Sequence, residues 1–131
     1  MKKTTLINQD ISCVIAGMGH LDMLVVADAG LPIPDQVRRI DLALIKGIPT
    51  FEDTVKAISS ELSVQTIIIA DETCSQSPHI LSFLKKQFQG IEVQCISHAE
   101  FKEKISTAKA VIRTGEFTPY ANVILVSGVS F

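Results

Sequence analysis

Two hydrophobic rhythms run along this chain, and they alternate. Residues 23–27 (MLVVA) and 66–70 (TIIIA) are unbroken apolar runs, the second strongly β-branched. Such runs belong to strands covered on both faces, as in a parallel sheet with helices above and below. Further strands are predicted at 39–45, 92–96, 110–114 and 122–127, the second of these six with polar interruptions. Between them fall helical patterns. Residues 10–18 (DISCVIAGM) read as a helix that Gly17 and Gly19 can end. Thr50 is placed as an N-cap with Glu52 and Asp53 in the first turn, and Phe51, Val55, Ile58 and Leu62 then recur on one face. Ser77-Pro78 predicts an N-cap with proline at the first helical position, opening a helix to about 87. Ser97-x-x-Glu100 fits a capping box that opens another helix. This alternation predicts an α/β fold: a single three-layer α/β/α domain over 1–131 on a mostly parallel sheet. No helical pattern separates the last two strands, so the sheet is expected to be mixed.

Composition narrows the picture. At 131 residues, 47% hydrophobic and a net charge of −2, the chain is not a disordered one and is long enough to bury a real core. Lysines and arginines cluster no further than pairs, and the pI of about 5.9 gives no electrostatic footprint for nucleic acid. The apolar runs are too short to span a bilayer, and MKKTTLINQD lacks the apolar core of a signal peptide. Cys13, Cys74 and Cys95 are odd in number and widely spaced, which argues against a disulfide framework or a zinc site and for a reducing, cytoplasmic setting. The nucleotide-binding glycine loops and the G-x-S-x-G elbow are absent, and no H-E-x-x-H accompanies His20 and Asp22. No cofactor and no metal are therefore expected.

The candidate chemistry lies at element junctions. In open α/β sheets, ligands bind outside the carboxyl ends of the strands. Asp28 follows the first strand, Asp71 and Glu72 follow TIIIA, and His98 follows the strand ending at Ile96. His20 precedes its strand, so it needs a loop excursion or a neighbouring subunit to join the others. Each has an ordinary explanation. Asp28 could cap the turn at Gly30, His98 could be a first-turn helix residue, and Asp71 and Glu72 could be solvated acids. His79, beside Pro78, is read as structural. Taken together, two histidines and an aspartate at junctions point to acid–base chemistry. Near the C-terminus, Tyr120, the one tyrosine, and Asn122 can present a hydroxyl and a carboxamide to one small polar ligand. The competing explanation is a turn. The lack of tryptophan argues against an oligosaccharide-stacking lectin but not against enclosing one small sugar.

Two stretches, GHLDMLVVADAGLPIP at 19–34 and IRTGEFTPYANVIL at 112–125, resemble the family of sugar-ring isomerases that holds ribose pyranases and fucose mutarotases. The resemblance runs from the N-terminal MKK to the terminal GVSF and is loosest over about 72–95. It implies interconversion of the β-pyranose and β-furanose forms of D-ribose. It implies His20 as proton donor, with Asp28, His98, Tyr120, Ala121 (through its backbone) and Asn122 binding the sugar. It also implies a ring-like homo-oligomer, up to a decamer, with sites near subunit interfaces. The alternatives are a mutarotase for fucose or another sugar, and a non-catalytic sugar-binding accessory of ribose transport.

Overall fold

The computed structural model describes residues 1–131. Eleven elements follow in the order α1 (Gln9–Gly17), β1 (Met23–Ala27), β2 (Arg39–Asp41), α2 (Phe51–Ser59), β3 (Val64–Ala70), α3 (Asp71–Gln76), α4 (Pro78–Gln87), β4 (Glu92–Ile96), α5 (His98–Ile105), β5 (Ala110–Arg113) and β6 (Val123–Ser127). The six strands form one sheet in the order β2-β5-β1-β6-β3-β4. Every pairing is parallel except those of β6, which runs antiparallel to both β1 and β3. The mixed α/β sheet expected from the sequence is the one found.

Strand alternation divides the interior in two. Leu24 and Val26 of β1 face a larger core, where Ile11 and Val14 of α1, Phe51, Val55 and Ile58 of α2, and Ile80 and Leu84 of α4 pack. Val25 and Ala27 face the other way, into a smaller core closed by Phe101 and Ile105 of α5. Only one helix covers that second face. The 31–37 segment supplies the rest of the cover: Leu31, Ile33 and Val37 are all buried there. The LPIP stretch is thus a structural lining, stiffened by its prolines, and it fixes the chain directly behind Asp28.

The caps are mostly where the residues place them. Thr50 accepts from the Asp53 N–H at 3.0 Å. Ser97 and Glu100 form the full capping box of α5. Four details differ from expectation. α1 begins at Gln9 rather than Asp10, because the side chain of the N-cap Asn8 accepts the Ile11 N–H. β2 ends at Asp41, not at 45, because the Asp41 carboxylate accepts the Ala43 N–H and turns the chain. α3 was not visible in the sequence, since its N-cap is Ala70 with no side-chain cap bond. Ser77 does not cap α4; its hydroxyl is used elsewhere.

Residues 42–49 fold over the chain just past β5, at Gly115. The Gly47 N–H donates to the Gly115 carbonyl at 2.6 Å, and the Gly115 N–H donates to Pro49 at 2.9 Å. A Cβ on Gly115 would collide with the carbonyl oxygens of Ile45 and Ile48, so only glycine permits this approach. All three cysteines are free thiols, and the Cys74 and Cys95 sulfurs lie 3.7 Å apart. No helix is long and apolar enough to cross a membrane.

Candidate active site

Because β6 is antiparallel to β1, its start lies beside the end of β1: Val26 is opposite Val123. That reversal puts Asn122 next to Asp28 across 94 residues of sequence. The Asn122 carboxamide grips Asp28 twice. Its Oδ1 accepts the Asp28 N–H at 2.8 Å, and its Nδ2 donates to Asp28 Oδ2 at 2.9 Å. Asp28 Oδ1 also accepts the Gly30 N–H at 2.9 Å, the turn cap anticipated for it. The carboxylate is therefore held in one orientation. Asn122 is buried, with its amide committed largely to Asp28.

His98 arrives from the end of β4, whose register sets Ala70 opposite Ile96. Its ring stacks on Phe101 at 6.3 Å and meets the Tyr120 ring edge-on at 5.2 Å. His98 Nδ1 is buried and has no hydrogen-bond partner. Buried polar atoms are nearly always satisfied, so an orphaned one beside a cavity marks a place for a ligand atom or a water. Tyr120 itself sits at φ 60°, the left-handed region that a bulky residue rarely enters.

Asp28, His98, Tyr120 and Asn122 line one open cleft of about 480 Å³, within the usual range for small-molecule sites. Its wall also includes Arg113 and Glu116, which carry no site signature in the sequence. Arg113 donates from Nε to the Ala29 carbonyl at 3.0 Å and pairs with Asp41 at 3.1 Å, bracing the loop after Asp28. Glu116 ties the Tyr120 loop to the start of α2. Partial burial opposes its charge, but the N–H groups of Thr118, Phe51 and Phe117 more than offset that and hold its pKa below the ordinary value. These supports were hard to foresee, because each works through backbone contacts that only the folded loops create. Ala121 is fully buried and does not line the cleft; its N–H donates to the Thr118 carbonyl at 3.3 Å.

His20 is not in this cleft. It is exposed at the opposite end of β1, with Nε2 2.8 Å from Gln65 Oε1. The five residues of β1 alone separate the two ends by about 13 Å. A short turn holds it there. Asp22 accepts the Gly19 N–H, which lowers its pKa despite partial desolvation, and it also pairs with Lys109. The Leu21 N–H donates to the Ser127 carbonyl at 2.9 Å, with Leu21 at φ 68°. Asp71 and Glu72 lie in the first turn of α3 and do not line the cleft; Glu72 Oε2 is buried without a partner. No group of three or more metal-ligating side chains is present.

A mixed-sheet α/β domain whose carboxyl edge holds an oriented carboxylate, an imidazole with a buried unpartnered nitrogen and a phenol offers the groups that suit a small polyhydroxylated ligand. The chain belongs to the RbsD / FucU transport protein family, whose model matches residues 1–130. It is 54% identical over all 131 residues to the D-ribose pyranase of Clostridium novyi (strain NT), covering 100% of both chains. The structure of Bacillus subtilis RbsD complexed with D-ribose superposes with a TM-score of 0.97 at 46% identity, again covering 100% of both chains. The fucose mutarotase of Streptococcus pneumoniae, solved with L-fucose, shares the fold at a TM-score of 0.85 and 22% identity over 100% of both chains.

Proposed function

We propose that this protein is a D-ribose pyranase, an isomerase that interconverts the β-pyranose and β-furanose forms of D-ribose. The observation that carries the reading is the cleft: a fixed Asp28 carboxylate and the His98 ring, whose Nδ1 is buried without a partner, line a common space edged by Tyr120. Full-length similarity to D-ribose pyranases supports ribose as the sugar.

The chemistry needs only proton transfers. In ring opening, the anomeric hydroxyl loses its proton as the C1–O5 bond breaks and O5 gains one, leaving the open-chain aldehyde. After rotation, the C4 hydroxyl attacks C1, gives up its proton, and the carbonyl oxygen takes one. The sum is an isomerisation with no net proton change. An imidazole serves both directions because it titrates near neutrality, and a positioned acid–base group contributes about 10²–10⁴-fold. His20 is assigned the proton transfer. Asp28, His98, Tyr120 and Asn122, with the backbone at Ala121, hold the hydroxyls.

His20 then comes from a second subunit. Two apolar patches support that arrangement. Leu44, Ile45, Ile48 and Phe117 are exposed beside the cleft, and Leu21, Val129 and Phe131 are exposed at the His20 end of the sheet. Exposed clusters of this kind mark interaction sites. Two different patches meeting head to tail form a ring where the rotation between subunits closes, in keeping with the ring-like assembly implied by the resemblance. The three free thiols fit a reducing compartment, and the cytoplasm is where we place the protein.

The test is exchange between ribose ring forms followed by NMR with catalytic amounts of protein. Acceleration with ribose is expected. Binding without acceleration would make the protein a sugar-binding accessory, and acceleration of fucose alone would make it a mutarotase for that sugar. The shared site is tested by mixing two inactive variants, His20→Ala and Asn122→Ala, after dissociation and reassembly. In a randomly mixed ring, about a quarter of the interfaces regain both intact sides, and activity returns in proportion. No recovery in reassembled mixtures would confine each site to one chain.

A further inference from the structure

Two buried hydroxyls outside the cleft stand in an unexpected relation to Tyr120. Thr73, in the short helix α3, is fully buried, and its Oγ1 donates to the Tyr120 carbonyl at 2.9 Å. Ser77, at the junction of α3 and α4, is also buried, and its Oγ donates to the Pro119 carbonyl at 2.6 Å. These are consecutive carbonyls. The residue between the two bonds is the one held at φ 60°. Ser77 forgoes the capping role its place before Pro78 would suggest, and its hydroxyl goes to the loop instead.

We propose that Thr73 and Ser77 are positioning residues that clamp the Pro119–Tyr120 backbone in its left-handed turn and so aim the Tyr120 ring against His98 in the sugar cleft. A left-handed backbone at a bulky residue persists only where its surroundings over-determine it. The two hydroxyls, reaching in from α3 and its end, are such surroundings. Without them the peptide relaxes toward an ordinary φ, and the ring leaves its edge-on position 5.2 Å from His98. The role of the clamp in ribose handling rests on the function proposed above; its effect on Tyr120 does not.

The chain has one tyrosine and no tryptophan, so its intrinsic emission reports Tyr120 alone. The experiment compares Thr73→Val, Thr73→Ser and Ser77→Ala with the parent protein, without ligand, by tyrosine emission and its quenching by acrylamide. Ribose affinity by calorimetry and ring exchange by NMR follow on the same samples. Thr73→Val and Ser77→Ala are expected to change emission and quenching and to weaken ribose affinity about 5- to 30-fold, the factor expected from losing one or two such bonds. Thr73→Ser, which keeps the hydroxyl, is expected to match the parent. Unchanged emission and affinity in a folded Thr73→Val protein would overturn the clamp. So would a Thr73→Ser protein as impaired as Thr73→Val, since the effect would then belong to the lost methyl. If Thr73→Val does not fold, Ser77→Ala is judged by the same criteria. Should the parent protein fail to exchange ribose, the proposed function falls, while the emission comparison still decides the clamp.

Discussion

The contact between Asp28 and Asn122 is the joint on which the cleft turns, and its strength can be worked out from its parts. Asn122→Ala removes two bonds. One is the bond from the Asp28 N–H at 2.8 Å; the other is the Nδ2 bond to the Asp28 carboxylate at 2.9 Å. A hydrogen bond to a charged group contributes about 1.5–3 kcal/mol, and a buried N–H left without a partner costs about 1–3 kcal/mol. Asp28 is half-buried and its carboxylate borders an open cleft, so water recovers part of the first figure. About 3 kcal/mol of destabilisation is expected in total, or roughly 10 °C in Tm for a chain of this length at fixed protein concentration. A double-mutant cycle separates the parts. Asp28→Ala loses the side-chain bond but keeps its backbone bond to Asn122. Urea unfolding of the parent, both single variants and the double variant therefore isolates the carboxylate–amide term, expected at about 1–2 kcal/mol. A coupling below about 0.5 kcal/mol would mean that Asn122 does not orient the carboxylate, and the account of the cleft would fail. Added ribose raises the unfolding midpoint of the parent and much less that of either variant, because stabilisation by a ligand follows its affinity.

Other outcomes follow from the same geometry. His20→Ala is expected to stay folded and to lose most ring exchange while ribose binding, measured by calorimetry, falls less, since a proton-transfer group acts mainly in the transition state. A methyl riboside is expected to bind without being converted, because its anomeric oxygen carries no proton to release; NMR detects any turnover. Gly115→Ala forces a Cβ against the Ile45 and Ile48 carbonyls and is expected to cost at least ~2 kcal/mol in urea unfolding. The depressed pKa of Glu116 means that its carboxylate stabilises the fold above the ordinary value of 4.5, and that this contribution fades as pH falls through the lower folded value. Glu116→Gln should therefore be less stable than the parent near pH 7, with the gap narrowing in acid; unfolding midpoints against pH check it.

Much of the fold was legible because its signals are local. TIIIA reads as a doubly covered strand, and Ile67, Ile68 and Ile69 are indeed all buried, on alternating faces. Thr50 and the Ser97–Glu100 box carry their capping chemistry in their spacing. What was not legible lacks a local signature. α3 has no capping side chain and is held by tertiary contacts such as the Thr73 bond to Tyr120. The apolar Leu42–Ile45 stretch suggested a longer strand, but the Asp41 turn and the notch at Gly115 draw it off the sheet. The site divides the same way. Asp28 and His98 could be placed from the rule that ligands gather at strand carboxyl ends. Asn122 could be named as a binding carboxamide, but its grip on Asp28 required knowing that β6 runs backwards, and Arg113, Glu116, Thr73 and Ser77 act on backbone groups distant in sequence.

β1 sets the histidine and the aspartate that bracket it apart in one chain, and the reversed strand beside it is bonded to the turns at both of its ends. Here Asn122, which holds Asp28, immediately precedes β6, and Ser127 at its end is bonded through its backbone to Leu21 and Asp22 of the His20 turn. One strand thus sets the geometry of both ends of β1, which hold the sugar and bear the proton in the proposed mechanism. β6 lies in the middle of the sheet, and four of its five residues are packed into the two cores, so neither half-site shifts easily relative to the other. In a head-to-tail ring, each interface joins the His20 edge of one subunit to the Asp28 edge of the next. A rigid span between the two edges then keeps every interface the same, and the distance that separates the residues within a subunit is the property that lets a ring bring them together.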